Sequence, residues 1–413
     1  MELVRISTAG SVDDGKSTLI GRLLYDNNAL TKEQEELVEK KTKEKGLNDL
    51  DFSVITDGLI AEREQGITID VAHIYFSTAS KKFIIADSPG HIEYTRNMVT
   101  GASTAELSII LIDVRKGLLE QSYRHFFISH LLRLEKVIFC INKMDLVDYS
   151  EDKFIELAIE IKKMVDSLSN SINYEILPVS SLKGDNIVHP SSKMEWYKGQ
   201  TLNQLLHKQT ENLEPTLPFR LDVQQVYHVQ NDAFTDFRGY AGRVLSGKVQ
   251  LGDKITVLPS MKETVVTEIR RFEESLETAE SEDSIILSVS DNIDISRGAI
   301  ITGIENVPTT SEVMEATLVW MDETAVKAGD KFVLKSGSRE LPVRIQELNY
   351  VIDPVQPTQH QKVAALQLND IAVITLRLSQ PAFLDSYTEN KKNGVFVLIN
   401  AQTNATAAVG FKN

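Results

Sequence analysis

Residues 10–17 read Gly-Ser-Val-Asp-Asp-Gly-Lys-Ser and match Gly-x-x-x-x-Gly-Lys-[Ser/Thr], the pattern of a phosphate-binding loop. In this pattern the glycines let backbone N–H groups close on phosphate oxygens, and the following helix adds its positive dipole end. Lys16 is therefore predicted to reach the β- and γ-phosphates, and the Ser17 hydroxyl to bind Mg²⁺. The predicted nucleotide contacts in this stretch are Ser11, Asp13, Asp14, Gly15, Lys16, Ser17 and Thr18.

A second stretch, Asp87-Ser-Pro-Gly-His, follows the apolar run Lys82–Ala86. A carboxylate at a strand end near the phosphate loop can hold Mg²⁺ through its water shell, which is the role predicted for Asp87. Gly90 leaves room for the γ-phosphate and offers it an N–H group. His91 is predicted to orient the attacking water, and a surface or packing histidine is the alternative.

Thr68 lies in Glu-Arg-Glu-Gln-Gly-Ile-Thr-Ile, residues 62–69, ahead of the second stretch. Its hydroxyl can complete the coordination of Mg²⁺ when the γ-phosphate is present. The segment would then be a switch, ordered with triphosphate and loosened after hydrolysis. An ordinary strand residue is the alternative for Thr68.

The sequence Asn142-Lys-Met-Asp145 follows the apolar run Lys136–Ile141 and carries groups that recognise guanine. A carboxylate at Asp145 can accept from both N1–H and the N2 amino group of guanine, a donor pair that adenine lacks. Asn142 can reach N7, and the Lys143 stem can cover the base. After the next strand come Ser180, Ser181 and Leu182, also predicted to line the site, where the Ser181 N–H could hold guanine O6.

The elements that position these loops alternate between strands and helices. Continuous β-branched runs at Leu107–Val114 and Lys136–Ile141 predict strands covered on both faces. Further strands are predicted at Ile67–Val71, Lys82–Ala86 and Ile176–Val179, and helices at Gln121–Leu134 and Asp152–Leu168. The charged run 31–50 is predicted to form a solvent-exposed helix that ends near Gly46. This alternation predicts a mostly parallel sheet with helices on both faces, and ligand loops at the carboxyl ends of the strands.

The pattern changes at Glu214-Pro-Thr-Leu-Pro218, where two prolines make a stiff linker. Short alternating strands with glycine turns follow, as in barrels and sandwiches. We therefore predict an α/β P-loop GTPase domain over residues 1–213, followed by two small all-β barrel domains over residues 214–306 and 307–413.

The composition of the chain argues against several classes of protein. The 413 residues carry a formal net charge of −15, which argues against broad nucleic-acid binding because a phosphate-tracking surface needs excess Lys and Arg. The one cysteine, Cys140, lies in an apolar run and is expected to be a buried hydrophobe, with a reactive thiol as the alternative. No apolar run approaches the ~20 residues of a membrane helix. We expect a cytoplasmic protein with no nucleic-acid or membrane partner.

These motifs together resemble the translation-factor superfamily of GTPases. More closely, the chain resembles the GTP-binding large subunit of bacterial two-subunit sulfate adenylyltransferase (ATP sulfurylase). The resemblance covers essentially the whole chain, and Asp13-Asp14 stands where elongation factors carry Asp-His. The stretches that carry it are 10–26, 61–70, 94–98, 237–247 and 403–406.

The resemblance implies a GTPase that binds GTP or GDP with Mg²⁺, with Lys16, Thr68 and His91 as the catalytic residues. It implies a partner, a smaller adenylyl-transferring subunit, at which ATP and sulfate give adenylylsulfate and pyrophosphate, driven by GTP hydrolysis. Val12 and Ile67 would form an apolar gate beside His91. The alternative is a GTPase like a translation elongation factor, delivering aminoacyl-tRNA.

Overall fold

Two units make up the chain in the computed structural model, which describes residues 2–44, 46, 49–55, 72–88, 95–168, 172–208, 217–231 and 234–413. The first unit contains Met1–Glu211 with Asp353–Gln359, and the second contains Asn212–Ile352 with His360–Asn413. Within the described residues, no helix is both long and apolar enough to cross a membrane.

A mixed sheet forms the centre of the first unit. Its six described strands run in the order β2-β3-β1-β4-β5-β6, and all neighbours are parallel except the β2–β3 pair at one edge. Strands β4 and β5 are buried at every position, as expected for strands covered on both faces. The bounds are β1 Glu2–Gly10, β2 Ala72–Ser77, β3 Lys81–Asp87, β4 Leu107–Asp113, β5 Lys136–Asn142 and β6 Asn173–Pro178.

Helices alternate with these strands. The first helix packs Leu19, Ile20 and Leu23 into one apolar cluster with β1 residues such as Ile6. The predicted charged helix is present and ends just before Gly46, which has a left-handed φ of 62°. The bounds are α1 Lys16–Asp26, α2 Lys32–Glu44, α3 Thr95–Ala102, α4 Glu120–Leu131, α5 Glu151–Asp166 and α6 Leu202–His207.

The second unit contains two antiparallel sheets that each close on themselves. In the first, the order is β10-β15-β7-β8-β14-β11-β12, and pairing of β10 with β11 closes a barrel around Val223, Ile255 and Leu287. The bounds are β7 Arg220–Asn231, β8 Phe234–Ser246, β9 Lys248–Gln250, β10 Lys254–Leu258, β11 Lys262–Arg271, β12 Glu274–Leu276, β13 Thr278–Glu280, β14 Ser284–Val289 and β15 Ile300–Gly303.

The second closed sheet has the order β17-β21-β22-β16-β20-β18-β19, with β17 also paired to β18. Its core includes Trp320, Ile345 and Phe396. The bounds are β16 Ser311–Trp320, β17 Lys331–Ser336, β18 Arg339–Ile352, β19 His360–Gln361, β20 Ile371–Ala382, β21 Val395–Ile399 and β22 Thr406–Lys412. The predicted architecture, an α/β domain followed by two β-barrels, is confirmed.

A buried ion pair joins the two barrels of the second unit. The Arg220 guanidinium donates to both carboxylate oxygens of Asp385, at 3.0 and 2.8 Å. The side-chain amides of Asn390 and Asn393 each donate to Asp385 Oδ2 at 2.9 Å.

The predicted domain boundary at 306/307 falls between β15 and β16, whereas the one at 213/214 lies outside the described residues. Both boundaries remain predictions.

Candidate functional site: a nucleotide site at the carboxyl edge of the sheet

The phosphate-binding loop connects β1, which ends at Gly10, to α1, which begins at Lys16. Two residues with left-handed backbone, Asp13 (φ 68°) and Gly15 (φ 96°), turn the chain back toward the sheet. The first N–H groups of any helix lack intrahelical acceptors, so those of Lys16, Ser17 and Thr18 are available to bind an anion at the positive end of α1. The strand, loop and helix expected around this motif are all present.

Gly15 is required by space as well as by backbone conformation. A Cβ atom at this position would lie 2.6 Å from Asn142 Nδ2, which is closer than real Cβ contacts. The Asn142 amide approaches because it donates to the carbonyl oxygen of Asp14 at 2.7 Å. The missing side chain of Gly15 therefore allows the loop after β5 to touch the phosphate-binding loop.

Lys16 is buried, with 8% of its surface exposed, and its ammonium lies inside the loop. Nζ donates to the carbonyl oxygen of Gly10 at 2.8 Å and approaches that of Ser11 at 3.5 Å. Burial lowers the pKa of Lys16, and the carboxylates of Asp87, Asp14 and Asp13 oppose this shift. The loop thus holds a desolvated ammonium whose hydrogen-bond acceptors are the backbone carbonyl oxygens of Gly10 and Ser11, and whose charge three nearby carboxylates stabilise.

The side chain of Asp14 forms a hydrogen bond within the phosphate-binding loop. Its Oδ2 accepts from the Ser11 N–H at 2.7 Å, and the side chain is almost fully buried. Burial raises the pKa of Asp14 to about 6, with a smaller rise from Asp113, while the Ser11 N–H and the charges of Lys16 and Lys116 lower it. Asp14 therefore supports the shape of the loop at an electrostatic cost.

Asn142 connects three of the loops at this edge. While its Nδ2 holds the Asp14 carbonyl, its Oδ1 accepts from the Ser181 N–H and the Ser181 hydroxyl, both at 2.9 Å. Here the structure differs from the expectation that the Ser181 N–H would donate to guanine O6, because this N–H already donates to Asn142 Oδ1. Leu182, the next residue, is 37% exposed at the same turn.

Asp145 is half-buried and held in one orientation. The Ser180 hydroxyl donates to Asp145 Oδ1 at 2.6 Å. Lys143 precedes it with a left-handed φ of 65°, and its ammonium donates to the Asp13 carbonyl oxygen. The structure thus brings together the predicted contacts of the loops after β1, β5 and β6.

Asp87 ends β3, beside β1 and the phosphate-binding loop. Thr8 Oγ1 donates to Asp87 Oδ1 at 2.7 Å, and the charge of Asp87 acts on Lys16. A carboxylate and the half-buried Ser17 hydroxyl near one loop are oxygen donors of the kind that Mg²⁺ accepts. Among the described residues, no group of three or more His, Cys, Asp or Glu side chains could hold a metal.

Three predicted residues lie outside the described residues: Thr68, Gly90 and His91. Ile67 of the gate implied by the resemblance lies outside them too, whereas Val12 is half-buried in the phosphate-binding loop. The roles of these residues therefore remain predictions.

Sequence reasoning missed the loop after β4. Asp113 ends that strand, Arg115 pairs with it, and Lys116 Nζ donates to the carbonyl oxygen of Val12 at 3.3 Å. The available signal was the one that marks Asp87 and Asn142, a polar residue directly after a buried apolar strand.

His125 on α4 is also buried near this site. Its pKa is lowered to about 3, chiefly by burial and further by the charges of Lys16 and Arg124. The imidazole is therefore neutral at physiological pH.

Comparisons with known proteins identify the first domain and the last one. Residues 1–216 match the family described as Elongation factor Tu GTP binding domain, and residues 313–412 match GTP-eEF1A C-terminal domain-like. Among solved structures, the chain is similar to Sup35 complexed with GDP, with 21% identity, a TM-score of 0.44 and coverage of 100% and 93% of the two chains. That similarity is too low to support an argument about the site.

Curated relatives are similar over nearly the whole chain. Sulfate adenylyltransferase subunit 1 of Bacteroides fragilis (strain YCH46) is 44% identical, and the alignment covers 99% of this chain and 85% of that protein. The protein of the same name from Saccharophagus degradans is 42% identical, with coverage of 99% and 86%. The chain, with its elongation-factor-type GTP-binding domain and the loops described above, therefore belongs to the family of sulfate adenylyltransferase subunit 1.

Proposed function

We propose that this chain is the GTPase subunit of a sulfate adenylyltransferase, in which GTP binding and hydrolysis drive the formation of adenylylsulfate and pyrophosphate from ATP and sulfate. The observation that carries the nucleotide assignment is the bond between Asn142 Nδ2 and the Asp14 carbonyl. This bond joins residues 142–145, here called the base-recognition loop, to the phosphate-binding loop. The role in adenylyl transfer is supported by the name of the relatives, sulfate adenylyltransferase subunit 1.

Guanine recognition is assigned to Asp145. The Ser180 hydroxyl holds one carboxylate oxygen and so fixes the plane of the group. A fixed carboxylate can accept from both donors on the guanine edge, and adenine offers no such pair. Lys143 then covers the base with its aliphatic stem while its ammonium stays on the Asp13 carbonyl.

Hydrolysis is assigned to Lys16, Thr68 and His91, with Mg²⁺ held by Ser17, Asp87 and Thr68. When bound, Mg²⁺ would neutralise charge that develops on the β- and γ-phosphate oxygens. Lys16 would move from the Gly10 carbonyl to the phosphates and retain its proton there. Gly90 would donate its N–H to the γ-phosphate, and His91 would orient the attacking water.

The partner is proposed to be the smaller, adenylyl-transferring subunit, in a heterodimer or a larger assembly. Transfer of the adenylyl group would occur there, and this chain would supply the free energy of GTP hydrolysis. Both subunits would be cytoplasmic, and neither a nucleic acid nor a membrane would be needed. The net charge of −15 favours this partner over aminoacyl-tRNA.

Nucleotide selectivity tests the assignment. The purified chain should bind GTP and GDP in the presence of Mg²⁺ and reject ATP, and Asp145→Asn should shift its preference toward xanthine nucleotides. Asp148→Asn is the matched control, because Asp148 is an exposed aspartate three residues away in the same loop. Comparable affinity for ATP, or unchanged guanine selectivity in Asp145→Asn, would contradict the proposal.

A further inference from the structure

The strand order places β4 between the two halves of the nucleotide site. Strand β4 pairs with β1, which leads to the phosphate-binding loop, and with β5, which leads to the base-recognition loop. Asp113 and Asn142 are in register at the ends of β4 and β5. Because parallel strands end at one edge, Asp113 lies between the loop that holds phosphates and the loop that reads the base.

The Asp113 carboxylate is completely buried and bound on both oxygens. Oδ1 accepts from the backbone N–H and from Nε of Arg115, each at 3.0 Å, and Oδ2 accepts from Arg115 Nη2 at 2.7 Å. The Lys143 ammonium lies 3.1 Å from Oδ2. The two-pronged guanidinium contact fixes the plane of the carboxylate and so directs Oδ2 at Lys143.

Lys143 in turn reaches the phosphate-binding loop. Its ammonium contacts both Asp113 and the carbonyl oxygen of Asp13, and its side chain is 23% exposed. Its left-handed backbone is strained for a residue with a Cβ atom, so surrounding contacts must hold it. The contact between the Lys143 ammonium and the Asp113 carboxylate is one of these surrounding contacts.

We propose that Asp113 is a positioning residue for nucleotide binding, which holds Lys143 between the base-recognition and phosphate-binding loops while Arg115 fixes the carboxylate. Asp113 does not touch the nucleotide and acts through Lys143. The inference rests on the proposed GTP site and adds a residue that none of the nucleotide-binding motifs contains.

The effect of losing this contact should be equal for GTP and GDP. Lys143 is assigned to the guanine base, and the contacts with the γ-phosphate are assigned to other residues. Weakening an interaction that is the same in the ground state and the transition state raises KM and leaves kcat unchanged. We expect Asp113→Asn to raise the Kd of both nucleotides about tenfold, in the range of measured couplings between contacting residues.

The experiment compares Asp113→Asn with Glu175→Gln in the full chain. Glu175 pairs with Lys136 at 3.6 Å across β5 and β6, where Lys136 begins β5 at the opposite end of the same sheet. Titration with fluorescent GDP and GTP analogues gives Kd, and GTP turnover gives KM and kcat. Glu175→Gln should keep Kd within twofold of the unmodified chain. Equal losses in the two variants, or a fall in kcat at unchanged KM in Asp113→Asn, would overturn the proposal.

A double-mutant cycle separates positioning from general destabilisation. Lys143→Met keeps the stem that covers the base and removes only the ammonium. If Asp113 acts through Lys143, adding Asp113→Asn to Lys143→Met should cost less than twofold further in Kd, whereas additive losses would refute the mechanism. Should Asp113→Asn not fold, the partly exposed Lys143→Met carries the test: equal loss of GDP and GTP affinity supports the proposal, and unchanged affinity overturns it.

The two proposals fail in different ways. If Asp145→Asn changes base preference while Asp113→Asn leaves Kd unchanged, the GTP site stands and the positioning role is wrong. If Asp145→Asn leaves guanine selectivity unchanged, the proposed function itself fails, whatever Asp113→Asn does.

Discussion

Replacing Gly15 with alanine should disable nucleotide binding, because the site needs both the backbone and the empty space at this residue. Gly15 has φ 96° at the N-terminus of α1, and an added Cβ would lie 2.6 Å from Asn142 Nδ2. Either the loop or Asn142 must move. Movement of Asn142 breaks its 2.7 Å bond to the Asp14 carbonyl and disturbs its bonds to Ser181.

The expected magnitude is the sum of two costs. A left-handed backbone costs about 1–2 kcal/mol for a residue with a Cβ atom. Loss of one or two buried hydrogen bonds adds about 1–2 kcal/mol. If this total of about 2–4 kcal/mol acts against the conformation that binds nucleotide, affinity falls by about 30- to 1,000-fold.

The control is Gly329→Ala in the second barrel. Gly329 has φ 100°, nearly that of Gly15, but no heavy atom lies within 4 Å of an added Cβ. This variant has the same backbone strain without the collision. Kd for GDP is measured for both variants by displacement of a fluorescent analogue, with circular dichroism to confirm folding.

Gly329→Ala should bind GDP like the unmodified chain. Folded Gly15→Ala protein that binds GDP within threefold of the unmodified chain would refute the reasoning, since the contact between Asn142 and the phosphate-binding loop would then not matter.

Three further predictions concern single groups. His91→Ala should leave nucleotide affinity nearly intact and slow GTP hydrolysis, because His91 is assigned only to the water; unchanged turnover would remove it from the mechanism. Asp14→Asn should stabilise the nucleotide-free protein toward urea more at pH 7.5 than at pH 5. Burial raises the pKa of Asp14 from 3.8 to about 6, so stability is lost as pH rises from the unfolded value to the folded value, by about 3 kcal/mol in all, of which about half is lost between pH 5 and pH 7.5; an advantage that does not change with pH would contradict this. Cys140 is fully buried with a raised pKa, so a thiol reagent at pH 8 should label it only after denaturation, and rapid labelling of the native protein would contradict its burial.

Strands covered on both faces were predictable because burial leaves a simple pattern. The runs Leu107–Val114 and Lys136–Ile141 became β4 and β5 with ends shifted by one residue. The helix predicted over Gln121–Leu134 ends earlier, at Leu131, because Arg133 adopts a left-handed φ of 52°. Its neighbours Leu132 and Leu134 remain buried, so their side chains continue the helical pattern after the backbone has left it.

Edge strands and short strands were harder to predict. Strand β2 alternates between exposed and half-buried or buried positions, with only Phe76 buried, and leaves Tyr75 70% exposed. Strand β22 is rich in alanine and includes Gly410, residues with weak strand propensity, and its order comes from pairing with β16 and β21. The strand predicted at Ile67–Val71 lies outside the described residues.

The candidate site also contains residues that sequence could identify and residues that it could not. Gly10–Ser17 and Asn142–Asp145 are contiguous motifs, so each could be recognised from sequence alone, and the structure brings the two together. Asp113 and Lys143 are 30 positions apart and meet only because β4 lies beside β5, which depends on strand order. Contacts of this kind need the fold.

The most direct test of the proposed function measures GTP turnover by the purified chain with and without the candidate small subunit, ATP and sulfate. We predict that turnover rises only when the partner and both of its substrates are present, and that adenylylsulfate accumulates in step with GTP consumed. Turnover that is indifferent to the partner, or that rises with aminoacyl-tRNA instead, would contradict a role in sulfate activation.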